Sequence, residues 1–179
     1  MGPIFSVSQS DVIFDRLSEQ VDWEHDELWM YGKKIITKRK VAWYGDESYA
    51  YTYSKMTKYA LPWTEQLRLI KDKIEGQSGE TFNSCLLNLY HHGNEGMSWH
   101  SDDERELKPE GAIASMSFGA ERKFVFKHKK SKEKQEIYLE HGSLLLMRGK
   151  TQYHWHHSLP PTKKVSAPRI NLTFRTIIT

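Results

Sequence analysis

Apolar residues recur at helical spacing in two segments of the first half of the chain. In "SDVIFDRLSEQV", residues 10–21, the apolar side chains share one helical face, and Ser10 is the predicted N-cap. A second run extends from about Pro62 to Ile74, where apolar residues are spaced four, three and four apart, and Gly76 follows just past its predicted end. The two patterns predict two amphipathic helices.

Beyond Thr81 the pattern changes to short strands that are separated by Gly, Pro, Asn or charged turns. The predicted strands are "FNSCLLNLY", "AIASMSFG", "RKFVFKH", "QEIYLEHGSLLLM", "TQYHWHH" and "RINLTFRTII". This series predicts an α+β protein, mainly β, built as a sandwich or barrel with the helices on one side. A length of 179 residues suits one domain, residues 1–179, with a sizeable core.

Composition narrows the class of protein. A hydrophobic content of 38% and an aromatic content of 12% are too high for a disordered chain. We expect a cytoplasmic or nuclear protein without a membrane partner, because no apolar run approaches the roughly 18 residues of a membrane span and the N-terminus lacks a signal-peptide pattern. Cys85 is the only cysteine, so any metal must be held by histidine and carboxylate.

The formal net charge of +3 is too small to imply a nucleic-acid partner by itself. The basic residues are nevertheless grouped in segments 33–40, 127–134 and 163–164. Two interpretations stay open at this point. The segments are either solvated loops or a surface that follows phosphates.

The segment "MSWHSDDEREL", residues 97–107, contains a candidate metal motif. In an extended segment His100 and Asp102 point to the same side, so that an imidazole and a carboxylate can reach one ion. His-x-Asp is part of a facial triad for non-haem Fe(II), which needs a second histidine from elsewhere. The later "YHWHHSLP" offers His154, His156 and His157, and strand alternation alone does not choose among them.

The C-terminal strand "PRINLTFRTII" projects two arginines, Arg169 and Arg175, onto its polar face. Their spacing leaves a gap suited to a small dicarboxylate held at both ends. Asn88 and Tyr90, on one face of "LLNLY", are neutral donors that complete such a pocket. The alternative is that both arginines form surface ion pairs.

Four motifs, in this order and spacing, resemble the AlkB family of Fe(II)- and 2-oxoglutarate-dependent dioxygenases. They are Asn88-x-Tyr90, His100-x-Asp102, His157 within "WHHSLP", and "PRINLTFR". The likeness extends from about residue 28 to 178 and is greatest to the duplex-DNA repair branch. It implies a double-stranded β-helix, or jelly roll, with the N-terminal helices packed on one side.

The resemblance also implies the cofactors and their ligands. Fe(II) would be held by His100, Asp102 and His157, which settles the choice among the three histidines. The cosubstrate 2-oxoglutarate would be held by Asn88, Tyr90, Arg169 and Arg175, with Arg169 favoured for the distal carboxylate, and O2 would take the remaining position on the metal.

The implied reaction is oxidative demethylation of N-alkylated DNA bases such as 1-methyladenine and 3-methylcytosine, with release of formaldehyde and succinate. A base in a duplex must be flipped out to reach the metal. By resemblance, Tyr51 and Tyr53 would stack on the flipped base. Asp103 and Glu104 would meet its amino group or positive charge, unless they only form solvated ion pairs with Arg105.

A nucleotide-recognition region is expected at about residues 28–60. Tyr31, in "LWMYGKK", resembles the aromatic wedge that fills the gap left by a flipped base, although phenylalanine is the residue expected there. Lys33, Lys34 and Arg39 would contact phosphates. We therefore expect a monomer that prefers alkylated duplex DNA. The alternatives are an RNA or single-strand demethylase, or a 2-oxoglutarate oxygenase of a protein or small molecule.

Overall fold

The computed structural model describes residues 2–30, 33–53 and 56–178, and of residues 28–30, 34, 51–53 and 56–58 it describes the backbone alone. Helix α1 spans Val7–Gln20 and is capped by Ser6, whose side chain and that of Gln9 each accept the other's backbone N–H. The predicted N-cap at Ser10 is wrong. Ser10 lies inside the helix, and Ile13, three residues later, has no acceptor with which to complete a capping box.

Helix α2 spans Glu65–Ser78, and the Thr64 side chain caps it by accepting the N–H of Leu67 at 3.2 Å. The predicted end at Gly76 is wrong by one turn. The helix ends at Gly79, which takes the left-handed conformation (φ 70°). Among the described residues, no helix is long and apolar enough to cross a membrane.

Thirteen strands are present in the described parts of the chain. They are β1 (Glu24–Met30), β2 (Lys33–Gly45), β3 (Ala50–Tyr53), β4 (Met56–Tyr59), β5 (Leu61–Pro62), β6 (Ser84–Tyr90), β7 (Met97–His100), β8 (Ile113–Gly119), β9 (Arg122–His128), β10 (Lys134–Leu139), β11 (Ser143–Met147), β12 (Trp155–Leu159) and β13 (Arg169–Arg175).

The described strands form three sheets, and two of them make up the body of the fold. The major sheet has the order β1-β2-β6-β13-β8-β11, with the short β5 paired to β2, and the minor sheet has the order β10-β9-β12-β7. Strands β3 and β4 form a separate hairpin. Consecutive strands thus alternate between the two main sheets from β6 to β9, which agrees with the expected jelly roll.

The main core lies between the helices and the major sheet. Leu17 of α1 and Leu67 and Ile70 of α2 are almost fully buried with Leu172 and Phe174 of β13. The opposite face of β13 is polar and looks toward the minor sheet. Helices therefore cover one face of the major sheet, as the sequence predicted, and the other face is available for a site.

Two predicted strands differ from the observed elements. The segment "TQYHWHH" begins with a short helical turn, α3 (Thr151–His154), and only then enters β12. The run "QEIYLEHGSLLLM" is interrupted by a turn at Gly142, whose left-handed backbone (φ 74°) separates β10 from β11.

Candidate active site

Two adjacent strands of the minor sheet bring the predicted metal ligands together. His157 of β12 lies directly opposite His100 of β7, and Asp102 follows two residues after His100. The two Nε2 atoms are 3.1 Å apart, and His157 Nε2 is 3.5 Å from Asp102 Oδ2. Within the described residues, these three side chains each offer one metal-ligand atom, and the three atoms lie within 4.8 Å of one another.

The structure also separates the three candidate histidines. His157 is 3% exposed and faces the cluster. His156, the preceding residue of β12, does not belong to the converging group. His154 belongs to α3, where its ring stacks on His128 at 5.9 Å.

Both imidazoles in the cluster can present a ring nitrogen to a metal. Burial lowers the pKa of His157 to about 4, against the opposing effect of Asp102. Its ring packs against Phe124 and Phe126, with ring centroids 5.3 Å and 6.2 Å away. Nδ1 of His100 faces the carbonyl oxygen of Ser98 at 2.8 Å, so this nitrogen carries the proton and Nε2 presents its lone pair.

The donor set fits Fe(II). Two neutral imidazoles and one carboxylate are the ligands of the facial-triad sites of non-haem iron oxygenases. At 3.1 Å two nitrogen lone pairs repel one another unless a proton or a cation lies between them. Asp102 is 6% exposed, and its Oδ1 accepts a hydrogen bond from Arg175, so a cationic partner holds its carboxylate beside the two rings.

The triad faces a small cavity of about 70 Å³ between the two sheets. Arg169 and Arg175 line it from β13, and Asn88 and Tyr90 line it from the neighbouring β6. Register explains the arrangement, because Asn171 pairs with Asn88 and Arg169 pairs with Tyr90. The structure thus brings together all four residues predicted to hold a dicarboxylate.

Arg169 carries the clearest sign of an anionic ligand. It is 2% exposed, and in the described part of the chain its guanidinium donates to two neutral groups, Ser117 Oγ at 2.9 Å and Asn171 Oδ1 at 2.7 Å. Burial lowers its pKa to about 10, which leaves it cationic at neutral pH. A buried cation with neutral partners is costly, so a carboxylate entering the cavity fits this site.

Arg39 lies against the same pocket. Its Nε donates to Asn88 Oδ1 at 3.1 Å, and its NH2 group is 3.3 Å from Asp26 Oδ2. It is therefore half-buried, whereas Lys33, its predicted partner in binding phosphates, is exposed. The two residues are not part of one solvent-facing cluster.

Asp103 and Glu104 line a larger cavity of about 380 Å³ that shares Asp102 and Arg175 with the smaller one. Asp103 is exposed, and its Oδ2 is 3.6 Å from Lys129 Nζ. Burial raises the pKa of Glu104, and the nearby Arg175 lowers it in part. The pair therefore combines one exposed and one partly buried carboxyl group at the edge of the metal cluster.

Other predicted substrate contacts lie outside the described residues. Tyr31 is one of them, and so are the side chains of Lys34, Tyr51 and Tyr53. The backbone on either side of Tyr31 belongs to β1 and β2, which pair antiparallel up to Met30 and Lys33.

Sequence reasoning missed two residues that support the site. Gln152 accepts the backbone N–H of Asp102 from a distance of 50 residues in sequence. Arg122 is 2% exposed and donates to the carbonyl oxygens of Gly93, Glu95 and Pro160, so it ties the segments that lead out of β6 and β12. An arginine at the start of "RKFVFKH" resembles an ordinary turn charge, and its burial has no local signal.

Comparisons with known proteins agree with this geometry. Residues 3–175 match the 2OG-Fe(II) oxygenase superfamily. The DNA oxidative demethylase ALKBH2 of Homo sapiens is 44% identical over 186 residues, covering 98% of this chain and 71% of the human protein. The alpha-ketoglutarate-dependent dioxygenase alkB homolog 3 of Homo sapiens is 39% identical, covering 96% of this chain and 63% of that protein.

A solved structure, that of OsALKBH1, superposes with a TM-score of 0.62 at 16% identity. The match covers 94% of this chain and 92% of that one. At this level of identity the likeness supports the fold alone, and the fold it supports is the jelly roll.

Proposed function

The chain belongs to the 2OG-Fe(II) oxygenase superfamily, and we propose that it is an AlkB-like DNA oxidative demethylase that repairs N-alkylated bases, preferentially in duplex DNA. The observation that carries the proposal is one pocket in which a His-Asp-His cluster faces a buried arginine whose described partners are neutral. This pocket supplies a site for Fe(II) and a site for a dicarboxylate side by side.

In this proposal His100, Asp102 and His157 hold Fe(II). With 2-oxoglutarate bound, Fe(II) held there would supply the O2 activation that couples decarboxylation to succinate with hydroxylation of the alkyl group. The chain's own contribution is to hold the ligands and to exclude water. Phe124, packed on His157, lines the apolar side of the pocket, and Phe126 packs on the same histidine.

The cosubstrate would span the polar face of β13. Arg169 lies at the Tyr90 end of the strand, whereas Arg175 contacts the metal ligand Asp102. We therefore assign the distal carboxylate of 2-oxoglutarate to Arg169 and the carboxylate nearer the metal to the side of Arg175. Asn88 and Tyr90 complete the binding site with neutral donors.

Release of the oxidised group needs no protein nucleophile. A hydroxymethyl group on a ring nitrogen breaks down to formaldehyde and the unmodified base. Asp103 and Glu104, which line the cavity beside the metal cluster, are proposed to meet the positive charge of 1-methyladenine or 3-methylcytosine. Tyr51 and Tyr53 are proposed to stack on the flipped base.

The preference for duplex DNA rests on the recognition region. Tyr31 is proposed to fill the gap left by the flipped base, with Lys33, Lys34 and Arg39 on the phosphates. Arg39 would have to exchange its contact with Asn88 for a phosphate. The lysine-rich turn between β9 and β10 adds a second basic surface. We further propose a monomer that acts in the cytoplasm or nucleus, with RNA as the alternative polymer.

The experiment that tests the proposal uses a duplex oligonucleotide with one 1-methyladenine, beside its single-stranded form. The protein is loaded anaerobically with Fe(II), then given O2 and 2-oxoglutarate, and the products are analysed by mass spectrometry. Loss of one CH2 from the duplex, at least as fast as from the single strand, is the expected result. Succinate formation without loss from either strand would exclude a nucleic-acid substrate and favour a protein or small-molecule oxygenase.

A further inference from the structure

The backbone N–H of Asp102 depends on a side chain from a distant part of the chain. Strand β7 ends at His100, and its pairing with β12 ends at the His100–His157 pair, so the ladder between these strands does not reach Asp102. Because Asp102 is 6% exposed, its N–H needs a protein acceptor. Oε1 of Gln152 accepts this hydrogen bond at 3.0 Å.

The orientation of the Gln152 amide follows from its neighbours. A backbone N–H only donates, so the atom facing Asp102 must be the oxygen. The other end of the amide, Nε2, then donates to the sulfur of Met147 at 3.4 Å. The backbone oxygen of Gln152 accepts from Lys129 Nζ at 2.8 Å. With contacts at both ends of its amide and on its backbone, Gln152 is held in one conformation.

The position of Gln152 connects two of the proposed metal ligands. Gln152 belongs to α3, the helical turn that leads directly into β12, and His157 follows it by five residues. One side chain therefore links the backbone of Asp102 to the segment that carries His157. Arg175 donates to the carboxylate of Asp102, whereas Gln152 accepts from its backbone.

We propose that Gln152 is a positioning residue for the metal centre, which holds Asp102 at the distance from His157 that metal binding requires. The inference rests on the proposed role of Asp102 and His157 as ligands. Removal of the acceptor leaves the Asp102 N–H buried without a partner, so the loop after His100 has to move toward water. Groups that orient metal ligands in this way typically contribute about 10- to 100-fold to metal affinity.

The test is a titration of the metal-free 179-residue chain with Co(II) alone, followed by visible absorption and without any turnover. Gln152→Leu removes the acceptor at nearly constant size and is expected to weaken Co(II) binding about 10- to 100-fold. Gln152→Glu keeps an acceptor oxygen and is expected to bind at least as tightly as the wild type. Tyr153→Leu is the matched control, since Tyr153 is a neighbouring, 72% exposed residue, and it should bind like the wild type.

A second measurement reports on the Asp102 hydrogen bond directly and needs no metal. Amide hydrogen exchange at Asp102 should be slow in the wild type and in Gln152→Glu, and faster in Gln152→Leu. Unchanged Co(II) affinity in Gln152→Leu, or equal weakening in Gln152→Glu, would overturn the positioning role. Failure of the proposed metal site itself is distinguishable, because the wild type and Asp102→Ala would then bind Co(II) equally.

Discussion

The pocket between the two sheets and the β1–β2 hairpin use ionisable residues in opposite ways. In the pocket, Asp102, His157 and Arg169 are 6%, 3% and 2% exposed, and each is held by contacts from a different strand or loop. On the hairpin, Lys33 and Lys38 are exposed. Buried charges keep a fixed geometry, whereas exposed ones adjust to a partner.

The buried residues of the pocket are therefore suited to the reaction, and the exposed residues of the hairpin are suited to binding the substrate. In the pocket, low exposure strengthens each electrostatic interaction, so the loss of one group has a large effect. On the hairpin, water and salt screen each charge, so single residues contribute little and act together. We therefore expect mutations in the pocket to affect every substrate equally and mutations in the hairpin to change the preference among substrates.

The largest effect is expected for Asp102→Ala, which removes the single carboxylate of the triad and leaves Arg175 without its partner. Iron binding, measured by anaerobic equilibrium dialysis, should be lost together with turnover of duplex and single-stranded substrates. His157→Ala should behave in the same way.

The other two histidines of the same segment are the controls. His154→Ala and His156→Ala should keep iron and most activity, because neither residue belongs to the converging group. If either variant lost iron as completely as His157→Ala, the ligand assignment would be wrong.

The next effect in size concerns the cofactor end of the pocket. Arg169→Leu should weaken 2-oxoglutarate binding on the order of 10- to 100-fold, because a charged hydrogen-bonded pair contributes about 1.5–3 kcal/mol. Iron binding should remain, since Arg169 does not touch the triad, and duplex and single strand should be affected equally. Isothermal titration of 2-oxoglutarate into the Mn(II)-loaded protein measures this. Loss of metal binding in the same variant would contradict the division of the pocket into two ends.

Much of this pocket was predictable from sequence because its residues lie on strands with regular alternation. Strand alternation predicts Arg169 and Arg175 on one face of "PRINLTFR". In the structure, the register between β13 and β6 brings Asn88 and Tyr90 beside them. The choice of His157 over its neighbours came from family resemblance, since strand period alone left it open. The structure adds the physical reason, which is that His157 faces His100 across the β12–β7 pair.

What sequence could not predict depends on distant contacts. Gln152 accepts the backbone N–H of Asp102, which is 50 residues away in sequence. The helical turn that carries Gln152 was not predicted, because "TQYH" also fits the pattern of a strand. Arg122 meets three carbonyl groups on segments that only the fold brings together. The error at the N-terminus of α1 is local instead, since Ser6 and Gln9 form a capping box four residues before the predicted N-cap at Ser10.

A smaller and more selective effect is expected for Tyr31→Ala. If Tyr31 fills the gap left by the flipped base, its loss should slow repair of duplex DNA on the order of tenfold, since stacking on an aromatic ring contributes about 1–3 kcal/mol per base. Single-strand repair should change little. Tyr31→Phe keeps the ring and should repair both forms like the wild type. Equal loss on both forms would favour the single-strand or RNA alternative.

The smallest effect is expected for Lys33→Ala. An exposed lysine on a phosphate adds affinity without reading sequence, so the variant should bind all duplexes slightly more weakly, and the slope of log affinity against log salt should fall by about one. Fluorescence anisotropy across a salt series measures the slope, and Lys73→Ala, an exposed lysine on α2, is the control that should leave it unchanged. The reaction rate at saturating DNA should stay at the wild-type value, because Lys33 contributes nothing to the pocket. An unchanged slope would show that Lys33 does not contact a phosphate, and it would favour the lysine-rich turn between β9 and β10 as the DNA-binding surface.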